Sequence, residues 1–513
     1  MRTEQKTNIK NSIGRLVLVG LSVLVQLYWI VQLFFHLSSY SPIISLLSSV
    51  VALAVCLMIY GRRTNAAIKI PWIMLILVWP VVGLCLYALM GRRNTTKRMR
   101  ERFEVIDASL EGTLRQADDV IPALEQIDYG TANVFRYLWK TPGYPVYRNT
   151  DVTFYPEASE GFEAQLRDLE QAQHFIFMEY YAIEEASAFA RLKEVLARKA
   201  GEGVEVRVFY DDIGSIGFIN IDFIHRMEEA GVRCQVFNPV VPILNIFMNN
   251  RDHRKFTVID GKVGYTGGYN LADEYFNITH PYGYWKDSGV RLEGDAVRSL
   301  TVLFLEMWNL RQRTDADYYR YLPQISYRAR EQGFVAVYGD SPLDLEHVGE
   351  TVYMNLVKNA KHSVWFTTPY LIITDEMKRE LRQAAKRGVD VRIITPGIPD
   401  KKMVYQVTRS YYEELAEAGV RIYEYTPGFL HSKQCIADGE IAVVGTINLD
   451  YRSLYLHFED AVLFYRCSCI EEIREDFVRI MKESAEVTEQ YSEFRKNGLM
   501  LWQLFLRLCS PLL

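Results

Sequence analysis

Cysteine is scarce and unpatterned in this sequence of 513 residues. Its seven cysteines are an odd number, and none of them forms the C-x-x-C spacing of a structural zinc site. An excess of positive charge is also lacking, because 58 basic side chains face 63 acidic ones and the net charge is −5. These absences argue against a disulfide framework, a zinc-stabilised domain and a nucleic-acid-binding protein with a basic surface. The chain is 49% hydrophobic and 24% charged, which excludes a disordered or fibrous protein.

Charged residues are missing altogether from three stretches near the N-terminus. These stretches are Leu16–Phe35, Ile43–Tyr60 and Ile70–Met90. Each has about 20 residues, which is enough for a helix to cross the hydrocarbon core of a bilayer. The sequence therefore predicts a multi-pass anchor in the cell membrane over residues 1–91, beginning with transmembrane helices.

The distribution of Lys and Arg predicts how this anchor is oriented. Basic residues precede the first stretch and follow the second, whereas residues 37–42 between them have none. The third stretch contains Pro80, which breaks the hydrogen bonding of a helix, and six basic residues follow it between positions 92 and 102. We expect two spans plus a re-entrant or interfacial third segment, with the catalytic part facing the cytoplasm. Three full spans and an extracytoplasmic catalytic part are the alternative.

The remainder of the chain predicts an α/β protein with an internal duplication. Apolar strands alternate with amphipathic helices from about residue 151 onward. The segment Gly203–Phe209 (GVEVRVF) recurs as Gly388–Ile394 (GVDVRII), and Met227–Arg233 (MEEAGVR) recurs as Leu415–Arg421 (LAEAGVR). Two matched pairs in the same order, so far apart, indicate a duplicated domain.

These patterns divide the chain into five expected segments. A polar helical linker at 92–150 follows the anchor. Two tandem lobes are expected at 151–330 and 331–497, with an interfacial helix at 498–513. The apolar segment Val240–Met248 has no counterpart in the second copy, and it is either a loop among acyl chains or an extra buried turn.

Each copy of the duplication carries the motif H-x-K-x₄-D. The motif residues are His253, Lys255 and Asp260 in the first copy and His431, Lys433 and Asp438 in the second. In both copies an asparagine follows the histidine by 17 residues, at Asn270 and at Asn448. A single motif of this kind is a weak signal, but two copies with matched spacing are a strong one.

The residue types of the motif suit chemistry on a phosphate diester. Residues two apart in a strand share a face, so each histidine is expected beside a lysine. Lysine and asparagine would neutralise the phosphate oxygens while one histidine attacks phosphorus and the other protonates the leaving alcohol. Acidic residues would orient the two rings, and the candidates are Asp260, Asp438, Asp287 and Glu459. Because the lysines fill the role of a metal, we expect no metal and no cofactor.

The paired motifs resemble those of the phospholipase D superfamily, and within it the chain looks like the bacterial cardiolipin synthases. The resemblance also rests on six further segments: Ile70–Met90 (IPWIMLILVWPVVGLCLYALM), Asn250–Lys255 (NRDHRK), Tyr284–Val297 (YWKDSGVRLEGDAV), Gly445–Ser453 (GTINLDYRS), His457–Glu459 (HFE) and Ser510–Leu513 (SPLL). It implies two phospholipase D-like lobes forming a bilobal catalytic domain, and a phosphatidyl-histidine intermediate on His253. It also implies that a phosphatidyl group passes from one phosphatidylglycerol to another, giving cardiolipin and glycerol. The chain departs from the family pattern at His457, where Asn is commoner, and at Thr446, where Ser is commoner.

Three functions follow from these observations. The first is a membrane phosphatidyltransferase, whose acceptor is phosphatidylglycerol or another alcohol. The second is a hydrolase of the same superfamily, in which water attacks the intermediate. The third is a membrane scaffold without activity, against which the two complete motifs argue. A membrane anchor and the lack of a basic surface favour lipid over nucleic acid, and the sequence carries no signal for the oligomeric state.

Overall fold

A computed structural model gives the fold of most of the chain. The described residues are 14, 17–29, 31–32, 42–91, 97–110, 112–220, 222–240, 249–312, 314–315, 317–344, 346–492 and 501–510. The expected apolar loop Val240–Met248 lies outside them apart from its first residue, and so does the beginning of the expected C-terminal helix.

The first lobe is built on one mixed sheet. The strands of this part of the chain are β1 (Thr150–Tyr155), β2 (Phe175–Tyr180), β3 (Glu205–Asp211), β4 (Arg233–Phe237), β5 (Arg251–Asp252), β6 (Lys255–Ile259), β7 (Val263–Gly267), β8 (Tyr284–Lys286) and β9 (Gly289–Gly294). Seven of them form a sheet in the order β1-β9-β7-β6-β2-β3-β4. Strands β2, β3 and β4 are parallel, and the other neighbours are antiparallel.

The second lobe repeats this sheet strand for strand. Its strands are β10 (Phe334–Asp340), β11 (Ser363–Thr367), β12 (Leu371–Ile372), β13 (Asp390–Pro396), β14 (Arg421–Tyr425), β15 (Gly428–Leu430), β16 (Gln434–Ala437), β17 (Ile441–Gly445), β18 (Leu449–Asp450), β19 (His457–Tyr465) and β20 (Ser484–Glu486). The sheet order is β10-β19-β17-β16-β11-β13-β14-β20, which adds β20 to the arrangement of the first lobe, and β5 of the first lobe pairs with β19 as a ninth strand. The predicted α/β fold with a duplicated lobe is confirmed.

Helices cover both sheets and connect the lobes. They are α1 (Pro42–Tyr60), α2 (Ala66–Val78), α3 (Pro80–Leu86), α4 (Lys97–Leu110), α5 (Val120–Ile127), α6 (Tyr129–Lys140), α7 (Ala158–Glu170), α8 (Ser187–Gly201), α9 (Asp212–Ser215), α10 (Phe223–Glu229), α11 (Val297–Arg311), α12 (Val348–Asn359), α13 (Asp375–Lys386), α14 (Lys402–Arg409), α15 (Tyr412–Ala416), α16 (Tyr451–Tyr455), α17 (Cys469–Lys482), α18 (Thr488–Ser492) and α19 (Leu501–Cys509). Helix α11 is buried along almost its whole length. Its side chains share one apolar core with strands of both sheets, which joins the two lobes into one body.

The N-terminal helices pack on one another and on the second lobe. A proline restricts the residue before it to an extended backbone, and the helix of the third apolar stretch accordingly ends at Trp79 and restarts at Pro80. The first apolar stretch is described only in part, as a helix over 17–29. Within the described ranges, no helix combines the length and apolarity that crossing a membrane requires.

The C-terminal helix α19 lies against the second lobe. Leu506 is buried in the core of that lobe, and Arg507 forms an ion pair with Glu414. The opposite face of the helix exposes large apolar side chains, among them Trp502 and Phe505. Helix α19 therefore has one face bound to protein and one apolar face directed outward.

Candidate active site

Two short strand pairs bring each motif histidine to the other lobe. Strand β5 runs parallel to the start of β19, with Asp252 opposite Phe458. Strand β15 likewise runs parallel to β8, with Leu430 opposite Lys286. In each pair, a motif histidine follows the short strand β5 or β15, and the residue opposite that histidine carries a carboxyl group. Each histidine is therefore aligned with an acidic residue of the opposite lobe.

The hydrogen bonds confirm this alignment between the lobes. The Nδ1 atom of His253 lies 2.9 and 3.0 Å from the two carboxylate oxygens of Glu459. The Nδ1 atom of His431 lies 2.7 Å from Oδ2 of Asp287. Because a carboxylate holds the proton of Nδ1, Nε2 is the ring nitrogen left for chemistry. The carboxyl groups that orient the rings are therefore Asp287 and Glu459.

One cavity of about 540 Å³ contains both histidines. Asn270 and Asn448 also line it, together with aromatic side chains from both lobes. The ring centroid of His253 lies 4.9 Å from that of Tyr181, and the centroid of His431 lies 5.3 Å from that of Trp285. The structure thus brings the two halves of the predicted constellation to one mixed polar and aromatic chamber.

The motif lysines are buried beside the histidines. Lys255 and Lys433 are each only 1% exposed, and each ammonium group donates to the main-chain oxygen of its own motif histidine. The ammonium of Lys433 also lies 2.8 Å from Nδ1 of His431. Burial lowers the pKa of Lys255 to about 8 and that of Lys433 to about 7.

The electrostatics keep both rings neutral near pH 7. Burial, reinforced by Lys255, lowers the pKa of His253 well below its usual value. Burial and the charge of Lys433 lower the pKa of His431 to about 4, although Asp287 opposes them. Asp287 thus supports the protonated form of His431 against the effect of burial.

The pKa values of the two orienting acids are shifted in opposite directions. Burial raises the pKa of both carboxyl groups, but at Asp287 the interactions with His431 and Lys433 outweigh it, and the pKa lies below its usual value. At Glu459 burial prevails over Lys255, and the pKa is well above its usual value. Asp287 thus favours its ionised form more than a free carboxyl group does, and Glu459 favours it less.

The residues at one pair of matched positions explain how the two carboxyl groups are accommodated beside the rings. A Cβ atom at Gly268 would lie 2.0 Å from Oδ1 of Asp287, so glycine leaves room for the carboxylate. The matching position of the second copy is Thr446, whose hydroxyl donates to Glu459. The threonine that departs from the family pattern therefore takes part in holding the carboxyl group.

The two predicted asparagines are placed differently by their contacts. Asn270 accepts a hydrogen bond from the main chain of Ala182 and donates to Tyr275, at 3.0 and 2.7 Å. The Oδ1 atom of Asn448 has no hydrogen-bond partner among the described residues, and its amide nitrogen lies 3.5 Å from Asp450. Asn448 is thus the one with capacity left for a ligand.

The two motif aspartates do not orient the rings, which corrects the expectation for Asp260 and Asp438. Asp260 accepts hydrogen bonds from three main-chain N–H groups at the start of β2, at 2.7 to 2.8 Å. Asp438 does the same at the start of β11, at 2.7 to 2.9 Å. Both residues begin tight turns with positive φ, each followed by a glycine with positive φ. Their physical role is therefore to fasten the turn after the motif strand to the neighbouring strand.

Sequence reasoning did not single out two basic residues that line the cavity, Lys401 and Arg452, and it noted a third lining residue, His457, only as a departure from the family pattern. The ring centroid of His457 lies 5.4 Å from that of His253. The donor atoms of His253, His457 and Glu459 lie within 4.8 Å of one another, which is compatible in spacing with a metal ion. The cations Lys255 and Arg452 face the same cluster and oppose such an ion. The only sequence signal for this cluster was the unusual histidine at 457.

This fold and its two reciprocal motif pairs define a phospholipase D-like protein. A family profile described as "Cardiolipin synthase, PLD-like domain" matches residues 166–308 and 353–481, together more than half of the chain. A second profile, described as "Phospholipase D-nuclease N-terminal", matches residues 48–92. The chain belongs to the cardiolipin synthase family of phospholipase D-like proteins.

Similar proteins span nearly the whole chain. A cardiolipin synthase of Geobacillus thermodenitrificans is 34% identical over 97% of this chain and 98% of its own. A cardiolipin synthase of Halalkalibacterium halodurans is 32% identical, covering 91% and 93%. An uncharacterized protein of Streptococcus mutans is 41% identical, covering 86% and 96%. The crystal structure of a phosphatidylserine synthase from Haemophilus influenzae superimposes with a TM-score of 0.55 at 14% identity, over 75% of this chain and 98% of the other, which supports the fold alone.

Proposed function

We propose that this protein is a cardiolipin synthase, which transfers the phosphatidyl group of one phosphatidylglycerol to a second and releases glycerol. The observation that carries the proposal is the reciprocal placement of His253 with Glu459 and of His431 with Asp287 around one cavity. The family membership of the chain and its cardiolipin synthase relatives support the substrate.

In the first step, Nε2 of His253 attacks the phosphorus of phosphatidylglycerol. A P–N bond forms, and the P–O bond to glycerol breaks as His431 gives a proton to the departing oxygen. His431 must be protonated for this step, although burial lowers its pKa to about 4. The negative phosphate raises that pKa when it binds, because an opposite charge favours the imidazolium form. Lys255 and Lys433 neutralise the charge that develops on the phosphate oxygens.

In the second step, the hydroxyl group of another phosphatidylglycerol replaces the departed glycerol. His431, now neutral, removes the hydroxyl proton while the oxygen attacks phosphorus. The P–N bond to His253 breaks, and cardiolipin forms. If water takes the place of the second lipid, the product is phosphatidic acid, which is the hydrolase alternative. The lysine charges fill the role of a metal, so we propose that activity survives a chelator and needs no cofactor.

We further propose that residues 1–91 anchor the enzyme in the cell membrane as a multi-pass segment, with the lobes facing the cytoplasm. The charge-free stretches and the exposed apolar side chains of α1, such as Leu53 and Leu57, support this placement, since such surfaces suit lipid. A Lys97→Cys variant should resist an impermeant thiol reagent in intact cells. Ready labelling at that position would place the lobes outside.

The decisive experiment uses the purified full chain in detergent with radiolabelled phosphatidylglycerol. Formation of labelled cardiolipin with release of glycerol is the expected result, and excess glycerol should suppress it because the transfer is reversible. Phosphatidic acid as the sole product would show a hydrolase. No product at all, from protein that is folded, would contradict an enzymatic function.

A further inference from the structure

We propose that Lys401 and Arg452 bind the phosphate of the acceptor phosphatidylglycerol, and that they thereby select an anionic lipid rather than a neutral alcohol as acceptor. The inference rests on the proposed function, because only transfer between two phosphatidylglycerols brings two phosphate diesters into one cavity. One of the two phosphates reacts between the histidines. The other must be held one glycerol away without reacting.

The motif lysines are not available for this second phosphate. Lys255 and Lys433 are almost completely buried, and each is tied to the main-chain oxygen of its own histidine. Their charge therefore serves the position between the two rings. Placing a second phosphate monoanion in the same low-dielectric chamber requires further positive charge, because an unpaired buried charge is strongly unfavourable.

Among the described residues that line the cavity, the further basic side chains are Lys401 and Arg452. Both belong to the second lobe, the lobe that carries His431, which would take the proton of the acceptor hydroxyl. Both also act electrostatically on the same two cavity residues, Asp450 and His457. The two cations therefore converge on one part of the chamber.

Arg452 is held in a fixed orientation close to the reacting centre. Its Nε atom donates to Nε2 of His457 at 3.3 Å, and the ring of His457 lies 5.4 Å from that of His253. A guanidinium fixed in this way is suited to a phosphate, which it can bind through two parallel hydrogen bonds. On the other half of the site the position of His457 is taken by Trp285, so this cationic arrangement is present on one side only.

Lys401 is an exposed residue of the cavity lining. Its side chain is 63% exposed and precedes helix α14. The ammonium lies 5.1 Å above the ring of Tyr370 and 3.6 Å from Asp400, and both of these neighbours also line the cavity. The ring centroid of Tyr370 lies 6.4 Å from that of Phe429, and the centroid of Phe429 lies 5.7 Å from that of His431. The lysine thus lies along a row of rings that leads to the proposed proton acceptor.

The test compares two transfers from the same donor, phosphatidylglycerol. Exchange with labelled free glycerol needs one phosphate site, whereas cardiolipin formation needs two. For Lys401→Gln and for Arg452→Gln, we expect the ratio of cardiolipin formed to glycerol exchanged to fall about tenfold or more, through a higher KM for the acceptor. Arg452→Lys should restore part of the ratio. Lys402→Gln is the matched control, because it removes the neighbouring exposed charge, which does not line the cavity.

The outcomes separate this inference from the proposed function. A parallel loss of both transfers in the two Gln variants would show a general structural role and overturn the inference. An unchanged ratio would overturn it as well. If Arg452→Gln does not fold, the exposed Lys401 decides the question alone. Wild-type protein that exchanges glycerol but makes no cardiolipin would instead refute the proposed function itself.

Discussion

The two halves of the site share one geometry and differ in their electrostatics. In both halves a histidine follows a short strand that pairs with the other lobe, and its Nδ1 meets a carboxyl group there. In one half the acid is Asp287, with a pKa below its usual value, and in the other it is Glu459, with a pKa well above it. A duplicated fold thus holds two rings alike but equips them for different steps.

The cause of the difference lies in a few matched positions. Gly268 leaves space beside Asp287, whereas Thr446 occupies the equivalent place and donates to Glu459. Trp285 is the aromatic neighbour of His431, whereas His457 lies beside His253. Asp287 raises the pKa of His431 against the effect of burial, which suits an imidazole that must carry a proton. The ring of His253 stays neutral, which suits a nucleophile.

The largest expected effect separates the two histidines by leaving group. A substrate that releases nitrophenol needs no proton donor, because its oxygen departs readily as an anion. His431→Ala should therefore give a burst of nitrophenol and accumulate the covalent enzyme, whereas His253→Ala should release none. Both variants should lose transfer from phosphatidylglycerol. The measurement is rapid-quench absorbance combined with mass spectrometry of the protein.

A reversed pattern would also be informative. If the burst occurs in His253→Ala, the nucleophile is His431, and the electrostatic comparison assigns the rings wrongly. The two-histidine mechanism would still hold in that case. Absence of covalent enzyme in both variants would contradict the phosphatidyl-histidine intermediate.

The second effect concerns the two acids. Asp287→Asn removes the ionised partner of the proton-carrying ring, and we expect kcat for glycerol exchange to fall roughly 100-fold or more. Glu459→Gln should cost less, about tenfold, because burial already disfavours the ionised form of that carboxyl group. Steady-state rates of both variants, at equal amounts of folded protein, provide the measurement. Equal losses would show that the two halves are not electrostatically distinct.

The third effect is a pH dependence that the lysines impose. A lysine with a lowered pKa is charged below that pKa and loses its charge as the pH rises through it. The profile of kcat/KM should therefore decline above about pH 7, where Lys433 loses its proton, and decline further near pH 8, where Lys255 does. Lys433→Arg keeps its charge at these pH values, so its decline should begin about one pH unit higher. A decline that stays at the same pH would exclude Lys433 as its origin.

Much of this site could be predicted from the sequence, because repeated spacing survives in the chain. The duplicated GVxVR strands and the matched His, Lys and Asn offsets gave the two lobes and the groups of the cavity. The pairing of His253 with Glu459 could not be predicted, since it depends on how strands of different lobes align. The prediction that the motif aspartates orient the rings was wrong for a related reason. Their position within the motif resembles that of a catalytic acid, but their carboxylates bind main-chain N–H groups and stabilise a turn.

Arg452 and Lys401 could not be found from the sequence for a different reason. Neither belongs to a motif that recurs in the other copy, as is true of most surface lysines and arginines. Their proposed role can be inferred only from the folded structure, in which both line the cavity that contains His253. Their shared position at the cavity, rather than a sequence pattern, identifies such residues.

The smallest effect on catalysis is expected at Asp260 and Asp438, where the two halves should behave alike. Each carboxylate accepts three main-chain hydrogen bonds, so replacing either by Ala should lower the free energy of unfolding by about 2 kcal/mol or more. The activity per folded molecule should change little, because neither side chain contacts a motif histidine ring among the described residues. Asp→Asn should be milder, since Asn also tolerates the positive φ of 53° and 52° at these turns. Thermal unfolding together with kcat per active site provides the measurement. A large loss of kcat in protein with wild-type stability would return these aspartates to the catalytic mechanism.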